Sequence, residues 1–325
     1  MPIVVNSNAS ATEASFNLSR NNEALRKSLG RLSSGKRISN PADDAGGLAV
    51  AYKLNSTINR SYATIQNAQN SLSYLQVQDS ALATTGKILD RMAELRTMAQ
   101  DITKNSGDIE NYSKEFIELQ SQLRQIKEEK FNGISLFSVT GASTSGSKAQ
   151  LGTTSNGVYV DANGATQTYG KFGRELITHP SGTSSNGSIS LNVVNMQFVL
   201  SLNGTSGTNL GGISNTAGGI TNTAMGEDNF ITRIRDVSVS EIINAIEKLA
   251  DARAENGAEQ NRIMNSINLL QTNVTNLEAA HGRIMDADIA LESTRFARYN
   301  VLVQASAAMT AQANQMTNVA LSLIG

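Results

Sequence analysis

The stretch that decides the fold is IMNSINLLQTNVTNLEAAHGRI, residues 263–284. Residues that would line one face of a helix, here called its seam, recur at alternating steps of four and three residues. They are Ile263, Ile267, Leu270, Val274, Leu277, His281 and Ile284. Such a repeat averages about 3.5 residues per turn, which is typical of α-helices that wind around a partner helix. The stretch therefore predicts a long helix with one continuous seam packed against other helices.

The same spacing runs through both ends of the chain. Four series of apolar residues have members seven apart: Leu18, Leu25 and Leu32; Ala51, Ile58, Ile65 and Leu72; Ala68, Leu75, Leu82 and Leu89; and Leu302, Met309, Met316 and Leu323. A helix over residues 44–104 would be about 90 Å long at about 1.5 Å per residue, which is longer than a globular domain needs. The flanking helices are therefore expected to pack side by side in a long coiled-coil rod.

Short interruptions predict where these helices begin and end. Asn40-Pro41 followed by Asp43 and Asp44 suits a helix start, because acids are favourable at the positive end of the helix dipole. Gly107 is expected to separate the second helix from the third. The tripeptide Phe131-Asn132-Gly133 then predicts a turn after the third helix.

The middle of the chain has a different composition. Residues 138–235 hold 16 of the 26 glycines but only 9 of the 55 charged residues, which is typical of turns and short strands or of disorder. Residues 189–193 alternate with apolar side chains on odd positions, and residues 196–202 alternate on even positions. This change of phase predicts two strands joined by a turn or bulge at Val194-Asn195, and residues 157–160 predict another strand.

Composition excludes several classes of function. The chain has no cysteine and two histidines, His179 and His281, so disulfides and Cys-based zinc sites are impossible. The formal net charge of −1 gives no indication of a polyanionic partner, and no apolar run is long enough to span a membrane. Residues 30–36 fit the spacing of a phosphate-binding loop, but Arg37 stands where Ser or Thr is needed. We therefore predict no catalytic, cofactor-binding or metal-binding residues.

The terminal helices have seams with no evident partner. A lone helix of about 30 residues cannot bury an apolar stripe by itself. Small and apolar residues also crowd more than one face of the last helix: Ala305, Ala307, Ala308, Met309, Ala311 and Ala313. Two interpretations remain open, namely an intramolecular bundle in a monomer and self-assembly in which neighbouring copies supply the missing core.

Several ordered motifs resemble those of one family, the bacterial flagellins. They are LGRLSSGKRISNPADDAGGL at 29–48, FNG at 131–133, AEQNRI at 258–263, VTNLEAA at 274–280, RIMDAD at 283–288, and AQANQ at 311–315 with the terminal LSLI at 321–324. The resemblance covers residues 1–137 and about 237–325. Motifs at both chain ends, in the family's order, make it specific.

The resemblance implies a mainly α fold with three layers. Residues 1–42 and 285–325 would form an inner coiled coil in the filament core, and residues 43–137 and 237–284 an outer helical rod. Residues 138–236 would form a β-hairpin and a variable surface-exposed region. The implied function is that of a secreted, non-enzymatic subunit. It would leave the cell through the flagellar type III apparatus and polymerise into the extracellular filament that drives swimming.

The resemblance also implies partners and contact residues. The partners are identical subunits, the filament cap and hook-junction proteins, an export chaperone at the C-terminal helix, and the flagellin-sensing Toll-like receptor of vertebrates. Arg91, Leu95 and Glu118 match the family's receptor-contact segment, in which Ala93 replaces a common Arg. We expect subunit-interface packing from the heptad residues Leu18, Leu25, Leu32, Leu302, Met309, Met316 and Leu323.

Two alternative functions stay open from the sequence. A hook–filament junction protein has similar terminal helices, and it differs from a filament subunit in its abundance in sheared filaments. A secreted adhesin displayed on a helical rod would place its activity in residues 138–235.

Overall fold

The computed structural model describes residues 8–138, 152–160, 166–201, 231 and 233–324. The helices are α1 (Ala9–Ser34), α2 (Ala45–Met98), α3 (Ser106–Lys127), α4 (Met196–Val199), α5 (Val239–Met285) and α6 (Ile289–Ile324). The strands are β1 (Lys130–Phe131), β2 (Ile134–Ser135), β3 (Gly152–Val160), β4 (Thr166–Ile177) and β5 (Ser188–Val193). This confirms the mainly α class with a small strand-containing region in the middle of the chain.

The chain divides into two compact units. The first comprises Met1–Asn59 and Thr272–Gly325, and the second comprises Arg60–Gln271. Helices α2 and α5 contribute residues to both units. The layer boundaries at residues 42, 137, 236 and 284 stay a prediction.

In the first unit, α1 pairs with α6, and the helical conformation is interrupted after α1 and again between α5 and α6. Gly35 ends α1 in a left-handed conformation with φ of 68°, and its N–H donates to the carbonyl of Arg31. Lys36 then forms an antiparallel β-bridge with Asp286. Beside this bridge lies a small core of Ile38, Ala51 and Met285, with Leu48 and Ile284 packed against it.

The second unit has a continuous helical core. Its fully buried large side chains lie in the C-terminal half of α2 and in α3, and they are Leu75, Leu82, Leu89, Met92, Leu95, Phe116 and Leu123. Ile263, Ile267 and Leu270 of α5 are also buried in this unit, and Val274 is buried in the first. The predicted heptad seams of α2 and α5 are therefore confirmed for these residues.

The start of α3 differs from the prediction. Asn105 caps the helix, because its side chain accepts from the N–H of Asp108 while the Asp108 carboxylate accepts from the N–H of Asn105. Gly107 therefore lies inside the first turn of α3, and the break extends from the end of α2 to Asn105. The prediction that Gly107 separates the helices was wrong, because the capping box of Asn105 and Asp108 starts α3 at Ser106.

Two small antiparallel sheets follow. β1 and β2 form a hairpin with Phe131 opposite Ile134, and Asn132 and Gly133 both have positive φ, 49° and 77°. This geometry matches the two-residue turn that Asn-Gly favours. The larger sheet has the order β3-β4-β5. In β5 the odd residues Ile189, Leu191 and Val193 are buried, which confirms that predicted strand.

The second predicted strand of this region, at residues 196–202, is instead a one-turn helix. Asn195 accepts from the N–H of Phe198 at 3.2 Å through its side-chain oxygen and so caps α4. The alternation of apolar residues at 196, 198 and 200 also fits a short buried helix, and Met196 and Leu200 are completely buried. Leu202 lies outside the described residues.

Candidate self-association surface

Polar groups line the contact between α1 and α6. The side-chain amide of Asn21 donates to the Ser306 hydroxyl at 2.8 Å, and the Ser28 hydroxyl donates to the carbonyl of Glu292 at 3.3 Å. Near the other end of the pair, Asn8 donates to the carbonyl of Ala313 at 2.9 Å. Hydrogen bonds therefore hold the two helices together along their length.

The less exposed side chains of both helices follow steps of three and four residues. In α1 they include Ala11, Ala14, Leu18, Asn21, Leu25, Ser28 and Leu32. In α6 they include Glu292, Phe296, Tyr299, Val303, Ser306, Thr310 and Ala313. This spacing is that of a two-helix seam. The polar residues of this seam were not predicted, because the heptad pattern was traced through apolar residues alone. Asn21 and Ser28 are nevertheless seven residues apart.

Large apolar side chains lie on the outside of the same pair. Phe16 in α1 is 67% exposed, and Val301 and Met309 in α6 are 64% and 65% exposed. Leu29 and Leu291 are also more than half exposed. Exposed apolar groups of this size on two adjoining helices are typical of a surface that another protein covers. The seam is thus partly polar while the outer faces hold large apolar residues.

The predicted interface residues fall in three different environments. Leu18, Leu25 and Leu32 lie half-buried on the seam side of α1, and Leu302 is half-buried in α6. Met309 points away from the seam and is exposed. The side chains of Met316 and Leu323 lie outside the described residues. Among the predicted interface residues whose side chains the structure describes, Met309 is therefore the most accessible to a neighbouring copy.

Ion pairs surround the turn between α1 and α2. Lys27 pairs with Asp43 at 2.5 Å, and its hydrogen bond lowers the pKa of the Asp43 carboxyl to about 2. The side chain of Asp44 accepts from the N–H of Gly47 at 2.8 Å, and that of Asp288 accepts from the N–H of Leu291 at 3.1 Å. The carboxylates of Asp43 and Asp44 therefore serve in ion pairing and at a helix start, as predicted, and that of Asp288 caps the start of α6.

The receptor-contact candidates lie in the second unit. The Arg91 guanidinium donates to Glu115 at 2.7 Å and to Glu94 at 3.0 Å, and these hydrogen bonds raise its pKa. Arg91 and Glu118 are exposed, whereas Leu95 is completely buried. Leu95 could therefore support the helix beneath a contact at Arg91, but its side chain is not on the surface.

In the part of the chain that the structure describes, no group of three or more His, Cys, Asp or Glu side chains is arranged to hold a metal ion. None of the described helices has the length and apolar character that crossing a membrane requires.

Comparison with known proteins identifies the two helical ends. Residues 5–142 match the family model of the bacterial flagellin N-terminal helical region, and residues 239–324 match that of the C-terminal helical region. A solved structure from Vibrio parahaemolyticus, provisionally named a flagellar hook-associated protein, has a TM-score of 0.54 and 16% identity. It covers 75% of this chain and 100% of its own, and the likeness concerns the fold.

Curated relatives extend the match to nearly the whole chain. The flagellin of Clostridium tyrobutyricum is 30% identical over 97% of this chain and 100% of its own length. That of Bacillus subtilis is 30% identical over 98% and 99%. The flagellar filament 33 kDa core protein of Treponema phagedenis is 28% identical over 99% and 100%. The junction-protein and adhesin alternatives are not favoured, and the chain belongs to the bacterial flagellin family, the structural, non-enzymatic subunits of the extracellular flagellar filament.

Proposed function

We propose that copies of this chain join through the outer faces of α1 and α6 when they polymerise into the flagellar filament. The observation that carries the proposal is the set of exposed apolar side chains on this helix pair, above all Phe16, Val301 and Met309. Burying one large apolar side chain contributes about 1.5–3 kcal/mol. Several such residues per subunit supply a driving force that one chain alone cannot use.

The half-buried leucines have a supporting role in this proposal. Leu18, Leu25, Leu32 and Leu302 keep α1 and α6 together, so that the apolar residues opposite the seam face outward in a fixed pattern. In the assembled filament, residues 1–42 and 285–325 form the inner layer and residues 43–137 and 237–284 the outer one. Residues 138–236 lie at the filament surface. Met316 and Leu323 continue the inner packing.

The experiment is the substitution Met309→Asp in the full chain, with Met264→Asp as its matched control. Met264 in α5 is 50% exposed and lies in the other unit. Met309→Asp places a charge where neighbouring copies meet, and we expect it to prevent seeded filament growth. The control variant should form filaments, because it makes the same chemical change outside the proposed surface.

Circular dichroism and negative-stain electron microscopy give the two readouts. Both variants should retain wild-type helical content as monomers, since each substituted side chain is exposed. Normal filaments from Met309→Asp, or loss of assembly in both variants, would contradict the assignment of the surface to α1 and α6.

The same exposed faces of α1 and α6 are candidate binding surfaces for three further partners. An export chaperone would cover α6 before polymerisation, and the filament cap and hook-junction proteins would meet α1 and α6 at the two filament ends. A chaperone that covers α6 should bind the Met309→Asp monomer more weakly than the Met264→Asp monomer in a pull-down assay. Equal binding of the two variants would argue against that placement.

Recognition by the flagellin-sensing Toll-like receptor is a separate proposal. Arg91 and Glu118 are exposed and Leu95 supports the helix below them. In a cell reporter assay, Arg91→Ala should reduce the signal of purified monomer. Lys114→Ala, an exposed cation on α3 paired with Glu110, serves as the control. A wild-type monomer without signal would refute the proposal.

A further inference from the structure

Helix α5 presents three acidic side chains to the larger sheet, two helical turns apart and then one turn apart. The Tyr159 hydroxyl of β3 donates to Glu247 at 3.4 Å, and Lys171 of β4 forms an ion pair with Glu255. One turn further, Glu259 accepts from the backbone N–H of Asn192 in β5. Charged and polar contacts therefore form much of the attachment of the sheet to α5.

Glu259 is held in an unusual way for an acidic side chain. Both of its carboxylate oxygens lie close to the same backbone N–H, at 3.0 and 2.9 Å. Glu255 pairs with Lys171, and Arg262 donates to the carbonyl of Ser188 at 3.4 Å. In the described part of the chain, no cation forms an ion pair with Glu259 within 4.0 Å. The hydrogen bonds to this half-buried carboxylate therefore come from an uncharged donor, the backbone N–H of Asn192.

This contact lies at the outer edge of β5. Gly173 of β4 is opposite Asn192, and the N–H of Asn192 points away from β4 toward α5. The side-chain amide of Asn192 donates to Glu255 at 2.6 Å, and the backbone carbonyl of Asn192 accepts from the Gln78 side chain of α2 at 3.4 Å. Asn192 is therefore the point where β5, α5 and α2 meet.

We propose that Glu259 makes the docking of β5 on α5 sensitive to pH, and that docking tightens when this carboxylate takes up a proton. A protonated Glu259 still offers its carbonyl oxygen to the Asn192 N–H, and it no longer places a charge in a partly dehydrated site. When the sheet moves away from α5, the carboxyl returns to water and the charged form becomes favourable again. The proton is therefore bound more strongly in the docked state.

The sign of the effect follows from linkage. Burial raises the pKa of Glu259, and the Asn192 hydrogen bond, Lys171 and Arg262 offset this only in part. Because the docked state binds the proton more strongly, docking gains stability as pH falls through the raised pKa and loses it as pH rises. Each unit by which the pKa differs between docked and open states changes the opening equilibrium about tenfold.

The neighbouring groups do not share this behaviour. Lys171 and Arg262 are cations whose charges act on the Glu259 carboxylate. Burial raises the pKa of Tyr74 in α2, so its phenol stays neutral. The guanidinium of Arg174 in β4 lies 5.6 Å from the centre of the Tyr74 ring. Protonation of Glu255 would break its ion pair with Lys171 and weaken docking, which is the opposite effect. The two acids can therefore be distinguished by the direction of the change.

The test follows the amide of Asn192 in the full-length monomer by NMR hydrogen exchange at pH 8 and pH 5. After correction for intrinsic chemistry, the protection factor should be higher at pH 5 in the wild type. In Glu259→Gln, which keeps an acceptor without the charge, protection should be high at both pH values. The control Glu110→Gln, an exposed acid on α3, should behave as the wild type.

A second measurement does not depend on any variant. The Glu259 side-chain carboxyl carbon of the wild type should titrate above the ordinary glutamate range, and the Asn192 amide shift should follow the same curve. Protection that is equal at the two pH values would overturn the proposal. So would a pH effect that persists in Glu259→Gln, or a carboxyl that titrates in the ordinary range.

Discussion

Removing the side chain of Gln78 tests how the second unit is held together. Gln78 is completely buried, its amide donates to the carbonyl of Leu136 at 2.7 Å, and its side-chain oxygen accepts from Asn256 at 2.7 Å. One side chain thus joins α2 to α5 and to the segment after β2. Gln78→Ala leaves the buried side-chain amide of Asn256 without this acceptor, and it leaves the Leu136 carbonyl with the Tyr74 hydroxyl at 3.3 Å as its remaining donor.

The magnitude follows from those two groups. Each buried polar group that loses its partner costs about 1–3 kcal/mol, and the lost side-chain volume adds to this. We therefore expect Gln78→Ala to lower the free energy of unfolding by about 3–5 kcal/mol. Gln69→Ala, an exposed glutamine on the same helix, should change it by less than about 0.5 kcal/mol.

Urea unfolding of the monomer, followed by circular dichroism at 222 nm, measures both variants. A double-mutant cycle with Asn256→Ala should give a coupling energy of about 0.5–3 kcal/mol, because the two side chains are in direct contact. A cost below about 1 kcal/mol for Gln78→Ala, or zero coupling with Asn256, would refute this reasoning.

Two further predictions concern ends of helices. The pKa of Asp43 is lowered to about 2, so its ion pair with Lys27 stabilises the fold above the ordinary Asp pKa and is lost as pH falls toward 2. Because Lys27 is half exposed and screened by water, Asp43→Asn should cost about 1 kcal/mol at pH 7 in urea unfolding. The deficit should shrink toward pH 2, and an equal deficit at both pH values would contradict this assignment. Asn105→Ala removes the α3 cap and should cost about 1 kcal/mol in the same assay, whereas an unchanged midpoint would show that the cap is dispensable.

The long helices were predictable because their signal is repeated many times. Leu75, Leu82 and Leu89 are seven residues apart and all fully buried, so one error in the pattern would not have hidden the seam. The predicted helix over residues 44–104 extended too far, since α2 ends at Met98 and the Ile102 side chain beyond it is 99% exposed. Helix ends depend on single hydrogen bonds such as the Asn105 cap, which periodicity does not report.

The candidate site was only partly predictable. The heptad rule selected Leu18 and Met309 alike, but Leu18 lies on the seam side of its helix and Met309 on the outside. The difference arises because polar residues such as Ser28 and Ser306 occupy part of the contact between α1 and α6. Similarly, Asn192 and Glu259 are 67 residues apart in sequence, and no local pattern relates them.

The central claim is that the outer face of the α1–α6 pair becomes buried between copies. The natural chain has no cysteine, so the thiol introduced by Met309→Cys can be followed without background. We predict that it reacts rapidly with a maleimide in the monomer and is protected in filaments, whereas the thiol of Lys114→Cys stays reactive in both. If M309C filaments form and their thiols react as fast as those of the monomer, this face does not hold the filament together.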